Sequence, residues 1–86
     1  MQFIRTRSGR YLQASYISVL SIEEAKIVAK GKNIEVYKLV AYLPHPLNPA
    51  VLGIYESEER ACKILDELVE KLTQETEKII RVPTEY

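Results

Sequence analysis

The sequence predicts an α+β fold: a mostly antiparallel sheet of about four to five strands, with one long C-terminal amphipathic helix packed on one face. Three observations point there. Apolar residues recur at helical spacing from Ser57 to Leu72, apolar residues occupy both faces of a strand pattern from Ile34 to Leu43, and turn-forming residues at Ser8-Gly9, Lys30-Gly31 and Pro44 to Pro49 punctuate the chain.

The helix has the clearest boundaries. Ser57 is placed to accept a hydrogen bond from a first-turn N–H, and Glu56, Glu58 and Glu59 set negative charge at the positive end of the helix dipole. Ala61, Ile64, Leu65, Leu68, Val69 and Leu72 form one stripe, whereas Lys63, Asp66, Glu67, Glu70 and Lys71 lie opposite. Glu59–Lys63 and Glu67–Lys71 have the favourable i, i+4 order. At 1.5 Å per residue the helix spans roughly 24 Å, enough to cross a small sheet.

Ahead of it, Phe3-Ile4-Arg5-Thr6-Arg7 and Arg10-Tyr11-Leu12 flank Ser8-Gly9 and read as a hairpin. Gln13 to Tyr16 reverse the chain, and Ile17 to Leu20 read as another strand. Ser21 to Lys30 supports two readings. Ser21-Ile22-Glu23-Glu24 resembles a capping box and Gly31 a helix stop, but Ile27 and Val28 break the helical stripe, so a long hairpin turning at Lys30-Gly31-Lys32-Asn33 is preferred. Pro44, Pro46 and Pro49 end the ladder, since proline donates no N–H, and pairing resumes at Val51 to Tyr55. Residues 79–86, with Ile79-Ile80-Arg81-Val82-Pro83, read as a frayed extension, a tail, or a strand exchanged with a second protomer.

The length of 86 residues suits one domain. Net charge is zero, but residues 1–50 carry seven basic and three acidic side chains and residues 51–86 five and nine, so the halves are +4 and −4. No apolar run approaches the roughly 20 residues needed to span a bilayer, and Arg5, Arg7 and Arg10 stand where a signal peptide needs apolar residues. With Cys62 the only cysteine, no internal disulfide is available. A soluble, cytoplasmic protein is expected.

Phe3-Ile4-Arg5-Thr6, Ser8-Gly9-Arg10-Tyr11-Leu12, Ala14-Ser15-Tyr16-Ile17 and Gly53-x-Tyr55-x-Ser57-Glu58-Glu59 with Ala61 together resemble small uncharacterised bacterial proteins of β-meander-plus-helix layout. The resemblance covers most of the chain. It implies the hairpin reading of residues 17–43 and carries no activity.

Enzymatic chemistry lacks its residues. His45, the only histidine, lies between prolines in a loop, and Cys62 reads as a small residue at the edge of the apolar stripe. The helix acids are flanked by lysines and face solvent, Gly9, Gly31 and Gly53 form no phosphate-cradling loop, and no Cys/His cluster has zinc spacing. The expectation is no enzyme, no cofactor and no metal. Pro46-x-x-Pro49 matches a polyproline ligand pattern and is better explained as a rigid connection.

Two binding surfaces remain. Both faces of the Ile34–Leu43 strand are largely apolar, so a single helix leaves Val36, Val40 and Tyr42 as a candidate homodimer face. The leading expectation is thus a non-enzymatic, homodimeric protein-interaction module. The alternative is a small nucleic-acid-binding protein whose basic hairpin presents Arg5, Arg7, Arg10 and Tyr11, although the isoelectric point is near neutral and charge on an edge hairpin also prevents aggregation.

Overall fold

A computed structural model describes residues 1–86. Its strands are β1 (Phe3–Arg5), β2 (Tyr11–Gln13), β3 (Val19–Ala29), β4 (Lys32–Tyr42), β5 (Ala50–Tyr55) and β6 (Ile79–Arg81), with one helix, α1 (Glu58–Gln74), between β5 and β6. The α+β class holds. The single sheet of four to five strands does not: there are two sheets of three, ordered β2-β1-β6 and β3-β4-β5. The reason lies at both ends of the first hairpin. A 3-10 turn at Ala14–Tyr16 separates β2 from β3, and the open edge of β1 is filled by β6, which runs parallel to it with Ile4 beside Ile80 and Arg5 beside Arg81. Residues 79–81 are therefore a strand paired within the chain.

The long hairpin forms as preferred, with no helix at residues 21–30. Lys30 and Gly31 both have positive φ, 53° and 75°, which is the two-residue turn whose twist matches antiparallel strands. From there the register runs unbroken from Ala29–Lys32 to Val19–Tyr42. β5 joins the other side of β4 with a bulge at Leu39/Val40.

Helix α1 starts as its sequence dictates: the Ser57 side chain accepts the Arg60 N–H at 3.1 Å, and the left-handed Glu75 closes the far end. Ala61, Ile64 and Leu68 are buried and Leu65 and Leu72 partly so, but Val69 and Cys62 are exposed, so the buried stripe is narrower than the spacing suggests. Neither expected i, i+4 ion pair forms. Lys71 instead reaches Glu77 at 3.8 Å, and Arg60 reaches Glu85 at 3.9 Å. Both pairs are exposed and contribute little.

The core lies where three surfaces meet. Ile4, Leu12 and Ile80 come from the inner face of β2-β1-β6, Leu39, Ala41, Leu52 and Tyr55 from β4 and β5, and Ala61, Ile64 and Leu68 from the helix. Tyr55 is fully buried and donates its hydroxyl to the Pro83 carbonyl at 2.5 Å. That bond fastens the segment after β6 across β5. Burial pushes the Tyr55 phenol up to about 12, opposed by Arg60 and reinforced by Glu85. A tyrosine whose folded pKa lies above its unfolded value of about 10 favours the fold while protonated. Its contribution is complete below about pH 10 and is lost between about 10 and 12. Alkaline titration should therefore show the last phenolate appearing together with loss of ellipticity, and in Tyr55→Phe the phenolate signal should finish at lower pH.

Candidate nucleic-acid interface

The pleat of the small sheet sorts its residues. Ile4, Leu12 and Ile80 point inward and are buried, which turns Arg5, Tyr11 and Arg81 outward. Register places these three in one row across the strands: Tyr11 opposite Arg5, and Arg5 beside Arg81. Gln13, Phe3 and Ile79 form a second row. Adjacent strands are about 4.8 Å apart, so the first row spans roughly 10 Å.

Arg5 and Arg81 occupy neighbouring register positions, and like charges so placed destabilise a sheet. Neither arginine has an ion-pair partner in the chain. No side-chain carboxylate lies within ion-pair distance of Arg5, Arg7, Arg10 or Arg81, since both side-chain ion pairs of the molecule are elsewhere. Arg7 donates Nε–H to the main-chain oxygen of Tyr86 at 2.9 Å, leaving its remaining donors unspent. Arg5, Arg7 and Arg81 line an open depression of about 270 Å³, together with Thr6, Val82 and Thr84.

The hairpin loop is held tightly. Thr6 is buried, its hydroxyl accepts the Arg10 N–H at 3.0 Å, and Gly9 turns with φ of 91°. On the β2 side, a second depression of about 290 Å³ is lined by Phe3, Tyr11, Tyr16, Leu43 and Leu47, with Arg10 among them. Tyr11 and Tyr16 are about half exposed, at 51% and 57%. Aromatic faces and guanidinium groups thus share one surface.

All four residues of the expected basic hairpin are exposed, and Arg5 and Tyr11 are direct neighbours. Arg81 was absent from that expectation. It comes from the acidic half of the sequence and reaches Arg5 only through the parallel β1–β6 pairing, which no local pattern announces.

The other expected surface is different. Val36 and Val40 are already buried within one chain, at 1% and 5%, and stand outside the main core cluster with Ile54. As the middle strand, β4 is shielded by side chains on β3 and β5. Tyr42 is half-buried and donates its hydroxyl to Glu23, whose carboxylate, together with burial, raises the phenol pKa. This face presents little of Val36 or Val40 to a partner. His45 and Cys62 are both exposed, and Pro46 and Pro49 lie in an exposed loop. No group of three or more His, Cys, Asp or Glu side chains is placed to hold a metal ion. No helix is long and apolar enough to cross a membrane.

Compared with protein-family models, with curated proteins and with solved structures, the chain matches none.

Proposed function

We propose that the protein is a non-enzymatic binding module and that the outer face of β2-β1-β6 holds single-stranded nucleic acid. The observation that carries this reading is the row Tyr11–Arg5–Arg81, in which two arginines at neighbouring register positions, neither of them in an ion pair, stand beside an exposed tyrosine. A single strand supplies what each part lacks. Its phosphates relieve the arginine repulsion, and its bases have π-faces to stack on Tyr11, Tyr16 and Phe3. An isolated small anion would satisfy the arginines and leave the aromatic depression unused. The sheet offers no helix or long ribbon to enter a duplex major groove, which favours a single strand over duplex DNA. A cytoplasmic setting accords with such a ligand and with the free thiol of Cys62.

The test is binding of an oligothymidylate of about ten nucleotides as a function of salt. Affinity should fall as salt rises, and Arg5→Ala with Arg81→Ala should weaken binding and flatten the logarithmic slope by about 1.4, the share of two phosphate contacts on a single strand. Binding with an unchanged slope, or no salt-sensitive binding, would end this reading.

A further inference from the structure

The two edges of β3-β4-β5 are treated differently by the chain. Beside β5, the Val51 carbonyl accepts the Arg7 N–H at 3.2 Å, the Ile54 carbonyl accepts the Glu85 N–H at 3.0 Å, and the Ile54 N–H donates to Thr84 Oγ1 at 2.9 Å. That edge is covered. β3, at eleven residues, is bare along its whole outer side.

Which backbone groups are bare follows from the turn. In a two-residue hairpin the closing pair, here Ala29 and Lys32, exchanges both hydrogen bonds, so odd-numbered residues of β3 address β4. Leu20, Ile22, Glu24, Lys26 and Val28 therefore aim N–H and C=O outward, and none of them meets a backbone or side-chain partner beyond the sheet. Val28 is also 72% exposed, an unusual state for valine on a long strand.

We propose that this edge pairs antiparallel with the same edge of a second copy, with Ala25 facing Ala25 across the two-fold axis, to form one six-stranded sheet with both helices on the same side. The two-fold axis of an antiparallel ladder is perpendicular to the sheet, so opposed residues share a face and only some registers are allowed. Registers centred on Glu23, Glu24 or Lys26 each set a charge against its own copy. The register centred on Ala25 sets Glu24 opposite Lys26 of the partner copy, twice by symmetry, and Ile22 opposite Val28, also twice. Opposite charges directly across a ladder stabilise it and like charges destabilise it. Glu24 and Lys26 form no ion pair inside the chain, so both are available. On the other face Glu23 stands across from Ile27, and its carboxylate is already engaged by Tyr42. The charges that guard an edge against indiscriminate pairing here favour the Ala25 register over those centred on a charged residue. The second copy is thus at an edge, and not on the face of Val36, Val40 and Tyr42. Nothing in this depends on what the arginine face binds.

The test uses the full chain with Cys62→Ser to remove the native thiol. Ala25→Cys places two thiols at a non-hydrogen-bonded pair, where Cα atoms are about 4.5 Å apart and within disulfide reach. With oxidised glutathione as oxidant it should give a cross-linked species of twice the 9.9 kDa chain mass, while Ser21→Cys, which would face Ala29, should give none. Without cross-linking, sedimentation should show a reversible dimer. Glu24→Lys or Lys26→Glu alone should raise its dissociation constant about tenfold or more, and the double reversal should restore it. A chain that stays monomeric and uncross-linked, cross-links equally at Ser21→Cys, or is not rescued by the double reversal would overturn the proposal.

Discussion

Replacing Ile80 by alanine will lower stability by about 2–5 kcal/mol, the range for truncating a fully buried aliphatic side chain. Ile80 is 1% exposed although its strand has only three residues. It sits beside Ile4 in the parallel ladder and belongs to the same cluster as the helix residues Ile64 and Leu68. The small sheet has few ladder hydrogen bonds of its own, so its attachment rests on this inward row of Leu12, Ile4 and Ile80. A cavity there loosens β6 from β1 and from the helix together. Urea denaturation of Ile80→Ala should show a lowered midpoint, whereas Ile79→Ala, on the exposed side of the same strand, should change stability by less than about 0.5 kcal/mol. Equal effects would mean that β6 is not held by its inward face.

The second large effect is expected at Gly53. A β-carbon at this position would overlap the Tyr55 hydroxyl, lie 2.7 Å from Tyr55 Cζ and 3.0 Å from the Pro83 carbonyl oxygen. The Tyr55 ring lies across Gly53 on the core side of β5, and its hydroxyl is tied to Pro83. Gly53→Ala therefore moves a buried ring or breaks its hydrogen bond. Overpacking of this kind costs about 1–3 kcal/mol, and loss of the hydrogen bond adds about 1 kcal/mol. The cost should shrink in a Tyr55→Leu background, because two residues in contact are not additive. Equal costs in both backgrounds would show that the ring is not what excludes the methyl group.

The parts of the fold legible in the sequence are those with local causes. Ser57 followed by glutamates and an apolar stripe starts a helix wherever it lies, and Lys30-Gly31 supplies the two positive-φ residues of a tight turn. The second sheet was hidden because Ile79-Ile80-Arg81 is too short to show a period and its partner, β1, lies at the other end of the chain. A pattern of two apolar faces on β4 was visible, but burial of Val36 and Val40 depends on β3 and β5 flanking them, which is a property of the assembled sheet. The candidate site divides in the same way. Arg5 and Tyr11 were readable as one hairpin, and Arg81 was not, because its proximity arises from the parallel register alone. Likewise, β3 was recognisable as a strand, whereas its bare edge is a consequence of strand order.

These features divide the molecule by task. The helix and the inward faces of both sheets hold the fold, while the outward row of the small sheet keeps positive charge and aromatic surface unpaired at a cost in local stability. The most direct test is to follow backbone amide shifts while oligothymidylate is added. With a single strand on the small sheet, shifts should concentrate on Phe3, Arg5, Tyr11 and Arg81 and the Arg7–Arg10 turn, with Asp66 and Glu70 on the outer helix face unmoved. Shifts confined to the helix or to the long hairpin, or none at saturating oligonucleotide, would contradict it.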